Sequence, residues 1–146
     1  MNNSDHNNLK EKILEYLNRE EQALAMDYVD FTGKNIASCT ALAVDAARIL
    51  IKEGKKPCLM YCSSKDIKDN NTGSLLCPLR YKDKISWRAH VACACNGYIY
   101  DPMLGQPILI ETYPQIAFGV DIKMKQLVSE TNMTDFIRRT HLDLFV

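Results

Sequence analysis

The sequence lacks an excess of charge of either sign, because 18 Lys and Arg residues are balanced by 18 Asp and Glu residues. Proteins that bind nucleic acid or an anionic membrane surface commonly present a patch of Lys and Arg. We find no such patch along this chain. The charge balance therefore predicts neither nucleic acid nor a membrane as a partner.

Long apolar runs are also missing. The N-terminal stretch MNNSDHNNLKEK is polar where a secretory signal needs an apolar core, and no stretch is long enough to span a bilayer. No repeat, low-complexity tract or linker divides the chain. We predict a flexible tail over residues 1–8 and a single domain over residues 9–146, since 47% hydrophobic residues can form a substantial core.

Six cysteines are present, but a chain of 146 residues with an ordinary core does not need disulfides. We expect reduced thiols and a reducing cytoplasm, while export by a route without a cleavable signal stays open. We predict no metal, because tight CxxC knuckles are absent, and no cofactor, because chemistry that uses only side chains does not require one. A weaker alternative is a metal site built from Cys58, Cys62, Cys93 and Cys95.

The strongest local signal lies in SWRAHVACACNGYIYDP, residues 86–102. Asn96-Gly97 is typical of a two-residue type I′ turn, in which both central positions need positive φ. A hairpin closed by that turn brings His90 onto the same face as Asp101, as diagonal neighbours on adjacent strands. We therefore predict a hydrogen-bonded pair of His90 and Asp101.

A helix is predicted to bring a thiol to this pair. The segment from Ser38 to Gly54 is Ala-rich, starts at a good N-cap and ends at a good helix stop. Its faces are apolar apart from one thin stripe, so the helix should be buried and central. Cys39 lies in the first turn, where the positive end of the helix dipole lowers the pKa of a thiol.

The remaining elements are predicted from periodicity and from breaker residues. They are an amphipathic helix over 9–29, short strands at 58–62, 108–112 and 120–128, irregular chain at 113–119, and a helix over 134–141 entered at Asn132 or Thr134. The long polar segment 63–84 is interpreted as a mobile wall or lid. Together these elements indicate an α+β fold with the Cys39 helix packed on an antiparallel sheet.

Cys39, His90 and Asp101 would meet the requirements of nucleophilic catalysis. The His stabilises the thiolate, and the Asp on the far ring nitrogen fixes the tautomer. The Cys39 amide could donate to an oxyanion. Weak candidates for completing that hole or positioning the substrate are Asn35, Ser38, Trp87 and, more remotely, Gln22. Each residue of the three also has a structural explanation when it is taken alone.

The order of SCTALAVDAARILIKEG, HVACACNGYIYDP and GQPI resembles that of the papain-like and transglutaminase-like cysteine enzymes. It is most similar to the bacterial protein-glutaminase and papain-fold toxin-deamidase branch. The resemblance covers roughly residues 35–110. It implies a papain-like, transglutaminase-core-like fold in which Cys39 is the nucleophile, His90 the base and acid, and Asp101 the orienting residue.

The resemblance also implies a protein or peptide substrate, no cofactor and, for an effector or toxin, a cognate inhibitor or immunity protein. Two departures weigh against an efficient endopeptidase. No Gln lies just upstream of Cys39, where papain-like proteases keep an oxyanion residue, and the chain is too short for a deep two-lobed cleft.

These observations predict a cysteine-dependent hydrolase that deamidates protein-bound glutamine through a thioester. A cysteine peptidase, a transglutaminase or another acyltransferase would form the same thioester, and these alternatives stay open. A second alternative is a binding module without catalysis, in which Cys39 is a core residue and the hairpin is scaffold.

Overall fold

In a computed structural model, the chain is described over residues 36–68, 73–81 and 86–145. The elements in order are α1 (Ile36–Lys52), β1 (Cys58–Ser64), β2 (His90–Cys95), β3 (Tyr98–Tyr100), β4 (Ile108–Leu109), α2 (Tyr113–Phe118), β5 (Ile122–Val128) and α3 (Met133–Phe145). Short 3₁₀ turns occupy Leu79–Tyr81, Pro102–Leu104 and Glu130–Asn132. The predicted tail over 1–8 and helix over 9–29 lie outside the described residues.

The five strands form one antiparallel sheet in the order β4-β3-β2-β1-β5. Every residue of the central strand β2 is buried, so both faces of the sheet are covered there. With three α-helices and this sheet in the described ranges, the predicted α+β class and the antiparallel sheet are confirmed. None of the helices in the described ranges is long and apolar enough to cross a membrane.

Helix α1 packs on β2 through small side chains. Ala43 and Ala47 of the helix and Ala92 and Ala94 of the strand are each at most 2% exposed. Alanine leaves little bulk between two backbones, so the helix can approach the sheet closely. The predicted central position of this helix is confirmed.

The C-terminal end of α1 follows its glycine signal. Gly54 has φ of 79°, and its N–H donates to the Ile51 carbonyl at 2.9 Å. The next amide, that of Lys55, donates to the Leu50 carbonyl at 3.0 Å. This pair of hydrogen bonds is a Schellman motif, which satisfies carbonyls at the end of the helix.

The predicted start of α1 is wrong. The helix begins at Ile36, so Ser38 lies inside the first turn rather than at the N-cap. Serine is common in the first turn as well as at the cap, and its presence alone does not fix the boundary. Cys39 is the fourth residue of α1 and remains in the first turn.

The hairpin of β2 and β3 forms in the expected register. Asn96 and Gly97 have φ of 52° and 85°, as a type I′ turn requires. Cys95 pairs with Tyr98, and the ladder continues toward the start of β2. A two-residue turn fixes which residues face each other, so the local signal determined the pairing.

Other predicted boundaries after the hairpin are wrong. The supposedly irregular segment 113–119 contains α2, which has Pro114 in its first turn and ends at Gly119 with φ of 73°. The strand predicted over 108–112 stops at Leu109, because the chain turns there and the Thr112 amide donates to the Leu109 carbonyl. Pro is favoured in a first turn and Gly at a helix end, so local chemistry favours this short helix.

The C-terminal helix is longer than predicted, running from Met133 to Phe145. It is preceded by a 3₁₀ turn whose N-cap is Ser129, where the side chain accepts from the Asn132 amide at 3.3 Å. The helix begins directly after Asn132, one of the two predicted entry residues, whereas Thr134 lies inside it. The 3₁₀ turn continues directly into the helix, so the cap lies one turn earlier.

Hydrogen bonds hold the described parts of segment 63–84 in place. Leu76 and Trp87 form an isolated antiparallel bridge, with N to O distances of 2.7 and 2.8 Å. Asp66 accepts from the amide and the hydroxyl of Ser74. Residues 69–72 and 82–85 lie outside the described residues, and a lid role stays a prediction.

Candidate active site

The site is built around His90 and Asp101, which the hairpin brings together. His90 is the first residue of β2, and Asp101 follows β3 directly. His90 Nε2 and Asp101 Oδ2 are 2.8 Å apart, and the two side chains are 1% and 0% exposed. The predicted hydrogen bond is therefore confirmed, and it lies in a dry environment where it is strong.

Asp101 accepts two further hydrogen bonds. The Tyr113 hydroxyl donates to Oδ2 at 2.6 Å, and the Met103 amide donates to Oδ1 at 3.1 Å. Burial alone would raise the pKa of Asp101, but the charge of His90 and the three donors lower it below the usual value. The carboxylate is thus ionised and held by donors on both oxygens.

The imidazole of His90 is correspondingly basic. Burial lowers its pKa, but the Asp101 carboxylate and the Cys39 thiol together outweigh burial and raise the pKa to about 10. The imidazolium form is therefore stabilised at neutral pH. A permanently available proton on the ring suits a general acid, and the bond to Asp101 assigns one proton to Nε2.

Cys39 acts on the same ring. Asp101 occupies Nε2, which leaves Nδ1 for the sulfur, and donation from the imidazolium to Cys39 together with the charge of the thiolate contributes to the raised pKa of His90. Nδ1 has no partner within ordinary hydrogen-bond length and angle, so this contact is looser than the bond to Asp101. Catalytic hydrogen bonds are often long without substrate and tighten on binding.

Two aromatic residues fix the orientation of the imidazole. The Trp87 ring stacks on the His90 ring with centroids 4.4 Å apart and planes 14° from parallel. Phe118 lies edge-on to both rings, at 6.3 Å from Trp87 and 6.5 Å from His90. Trp87 therefore contacts the imidazole, where it restricts rotation of the ring.

The structure describes the other candidates for positioning the substrate only in part. Asn35 and Gln22 lie outside the described residues. Ser38 belongs to the first turn of α1, and its side chain is not described. The donors of an oxyanion hole therefore stay a prediction.

Cys62 forms the wall of the site on β1. It pairs with His90 across the β1–β2 ladder and is 0% exposed. Burial raises the pKa of its thiol to about 12, and the charges of Asp101 and Cys39 act in the same direction. Cys62 is therefore a neutral neighbour of the pair at physiological pH, in agreement with its interpretation as an inert strand residue.

The alternative of a four-cysteine metal site is wrong. Cys58 and Cys62 pair with Ala94 and His90 and so project from the α1 side of the sheet, whereas Cys93 and Cys95 alternate to the opposite face. Within the described ranges, no group of three or more His, Cys, Asp or Glu residues could hold a metal ion.

A cavity of about 380 Å³ borders the aromatic wall of the site. Phe118, which lies edge-on to His90, contributes to its lining, as does Leu76, the bridge partner of Trp87. The opposite side of the cavity is formed by Val120 and the end of β1. Phe118 therefore links the cavity to the site, whereas Cys39, His90 and Asp101 do not line it.

Sequence reasoning missed Tyr113 and Phe118. Both belong to α2, which was taken as irregular chain, and their rings contact each other edge-on at 6.0 Å. The pair Tyr113-Pro114 followed by Gly119 was the available signal, because Pro favours a first turn and Gly a helix end. A helix would have indicated that Tyr113 is buried, and a buried tyrosine hydroxyl needs a partner.

Comparisons of this chain with protein-family models, with curated protein sequences and with solved structures found no match, so the function is inferred from the geometry above.

Proposed function

We propose that this chain is a papain-like cysteine amidohydrolase that converts the side-chain carboxamide of protein-bound glutamine into a carboxylate. Cys39 is the nucleophile, His90 the acid and base, and Asp101 orients the imidazole. The observation that supports this proposal is the arrangement around one ring. An ionised, fully buried carboxylate holds one nitrogen of His90, and a thiol in the first turn of a helix contributes to the raised pKa of the same ring.

The first half of the reaction forms a thioester. The raised pKa of His90 favours transfer of the Cys39 proton to the ring, which gives a thiolate and imidazolium pair. The sulfur attacks the carboxamide carbon, and His90 gives its proton to the leaving nitrogen. The carbon–nitrogen bond breaks, ammonia departs, and the acyl group remains on the sulfur.

The second half releases the product. A water molecule gives a proton to the now neutral imidazole and attacks the thioester carbon. The carbon–sulfur bond breaks, so the carboxylic acid leaves and the thiolate and imidazolium pair is restored. Asp101 stays ionised throughout, because His90, Tyr113 and Met103 all donate to it. Its role is to stabilise the imidazolium and to hold Nδ1 toward the sulfur.

Substrate access to the sulfur is a condition of this mechanism. Cys39 is 4% exposed, so a carboxamide must reach a largely covered thiol. A slender side-chain amide meets that condition more easily than a folded main chain with substituents on both sides of the scissile bond. This favours deamidation over endopeptidase activity.

The test is ammonia release from an unfolded, glutamine-rich protein, combined with intact-mass analysis. We expect ammonia and a mass increase of about one dalton for each converted glutamine. Cys39→Ala should abolish both signals and keep the circular dichroism spectrum. Cys77→Ala is the matched control, because Cys77 is exposed and should leave activity unchanged.

The same measurement separates the alternatives that share the thioester. Cleavage products would indicate a peptidase, and a mass gain equal to an added amine would indicate transglutaminase or acyltransferase activity. Ammonia release that persists in Cys39→Ala would overturn the proposal for all of these reactions.

The burial of the site favours one second candidate, a binding module in which the pair is structural. His90 and Asp101 are almost completely buried, as a core hydrogen bond would be. Alkylation of Cys39 by iodoacetamide, followed by mass mapping, distinguishes the two. Rapid labelling below the ordinary thiol pKa of about 8.5 supports catalysis, whereas labelling only after denaturation supports a structural role.

A further inference from the structure

A second cavity lies on the sheet face opposite α1. Its volume is about 370 Å³. Tyr61 pairs with Lys125 and Ser63 with Lys123 between β1 and β5, so all four side chains project from one face and line it. Cys62, which lies between Tyr61 and Ser63, points to the other face. The cavity is therefore separate from the candidate active site.

The lining of this cavity is strongly cationic. Among the lining residues that the structure describes, none is acidic and four are basic: Lys68, Arg88, Lys123 and Lys125. None of the four forms an ion pair with a carboxylate in the part of the chain that the structure describes. Like charges gathered around a concave, low-dielectric surface raise the local potential and attract anions.

The contacts that two of these lysines make do not neutralise them. Lys123 Nζ donates to the Ile67 carbonyl at 2.9 Å, and Lys125 Nζ lies 5.3 Å from the centroid of the Tyr61 ring. Both contacts hold the ammonium groups beside the cavity, and neither partner carries a negative charge that would neutralise them. Arg88 adds a planar guanidinium, which suits bidentate binding of phosphate oxygens.

We propose that this cavity binds a small molecule that carries two or more phosphoryl groups. One phosphate ester carries a charge of about −2 at neutral pH, so two such groups balance about four positive side chains. The volume lies within the range of small-molecule sites, and Ser63 supplies a hydroxyl donor on the floor. A concave site of this size fits a compact polyphosphate better than an extended acidic surface.

The sequence did not reveal this site because its cations are dispersed along the chain. Lys68 follows β1, Arg88 precedes β2, and Lys123 and Lys125 alternate on β5. The net charge of the chain is zero, so composition gives no signal either. The pairing of β1 with both β2 and β5, and the turn after β1, bring the four charges together. The expectation that the chain has no basic patch is therefore wrong.

The test is isothermal titration calorimetry of the full chain with tripolyphosphate and with orthophosphate at the same ionic strength. We expect tripolyphosphate to bind more tightly and its affinity to fall as salt is added. The double variant Arg88→Gln/Lys123→Gln should weaken binding about tenfold or more, since it removes two charge-assisted contacts. The single variant Lys68→Gln, at an exposed position after β1, should weaken the binding of tripolyphosphate less than the double variant does.

A matched control is Lys55→Gln/Lys56→Gln. These two lysines line a different cavity that also contains Glu130, so the change in net charge is the same but the site is not touched. Affinity within about twofold of the wild type is expected for this control. Equal weakening by both double variants, equal binding of the two phosphates, or no binding at all would overturn the proposal. If Arg88→Gln/Lys123→Gln loses its circular dichroism spectrum, Lys68→Gln becomes the test. Weaker binding of tripolyphosphate by Lys68→Gln then supports the proposal, and unchanged affinity overturns it.

Discussion

Asp101 is the residue on which the candidate site depends. A buried carboxylate is costly unless donors replace its lost hydration, and Asp101 has three: His90, Tyr113 and the amide of Met103. The bond from the Met103 amide also makes Asp101 the N-cap of the 3₁₀ turn that begins at Pro102. The same side chain therefore ends β3, starts the next turn and holds the imidazole. A turn-forming role and a role beside His90 are compatible.

Tyr113→Phe tests how much the third donor contributes. The ring and its edge contact with Phe118 remain, but Oδ2 of Asp101 loses its shortest hydrogen bond. We expect the free energy of unfolding to fall by about 1–3 kcal/mol, as when a buried charged acceptor loses a donor. Urea denaturation followed by tryptophan fluorescence measures this change.

The control for Tyr113→Phe is Tyr98→Phe. Tyr98 is 42% exposed, so loss of its hydroxyl should change the stability by no more than about 0.5 kcal/mol. If both variants have the same stability, the hydrogen bond to Asp101 contributes nothing measurable. The Tyr113 hydroxyl would then not stabilise the buried carboxylate of Asp101.

At the scale of single residues, the sequence predicted a contact that is determined by residues close together in the chain. The pairing of His90 with Asp101 followed from the Asn96-Gly97 turn, because a two-residue turn fixes the register over the next few residues. The contributions of Tyr113 and Trp87 to the site could not be read in the same way. They depend on how α2 and the segment before β2 pack against the hairpin, which no short-range rule specifies.

At the scale of elements, the turn of the hairpin and the C-terminal end of α1 each contain a glycine in the left-handed conformation. Gly97 closes the β2–β3 turn with φ of 85°, and Gly54 ends α1 with φ of 79°. A Cβ added at either position would have no heavy atom within 4 Å. Any cost of a side chain there therefore comes from the backbone conformation and not from a clash.

Gly97→Ala and Gly54→Ala are predicted to destabilise the fold by similar amounts, about 1–2 kcal/mol each, which is the cost of a left-handed conformation for an L-residue. Urea denaturation of the two variants checks this. Neither change reaches the site, so His90 and Asp101 should stay bonded in both. A loss at Gly97 several times larger than that at Gly54 would show that the turn also determines the register during folding.

The element boundaries that the sequence missed have a common cause. Gly54 gave a correct stop for α1, because φ above zero is a requirement that few residues meet. The start of α1 was misplaced and that of α3 was left open between Asn132 and Thr134, because Ser, Thr and Asn are acceptable both at the cap and inside the first turn. Helix ends marked by a conformational requirement are thus easier to predict than starts marked by a preference.

At the scale of the whole molecule, both sites are made by contacts between distant segments. Cys39 reaches His90 only because α1 packs on β2, and the four cations meet only because β5 pairs with β1. The fold class could be predicted from periodicity and turns. The placement of the His90–Asp101 pair and of the cationic cavity on opposite faces of the sheet could not, since it follows from the strand order.

The buried pair should also make the stability of the whole molecule depend on pH. The pKa of His90 is raised from 6.5 to about 10 in the folded state, so the folded protein keeps a proton that the unfolded chain loses above about pH 6.5. The stability from this group is complete below the unfolded pKa and is lost as pH rises toward the folded one. Cys62 and Tyr113 stay neutral in this range, because burial raises the pKa of Cys62 to about 12 and that of Tyr113 well above 10.

We predict that Cys39→Ala, which removes the other titratable group facing the ring, loses up to about 1.4 kcal/mol of unfolding free energy per pH unit between about pH 6.5 and 8. Urea denaturation at intervals across that range measures the slope. In the double variant Cys39→Ala/His90→Gln the amide can still donate to Asp101 but does not titrate, so the slope should be flat. If the two slopes are equal, His90 does not hold its proton in the folded protein. The carboxylate would then fail to stabilise an imidazolium, and the acid required to expel ammonia would be missing.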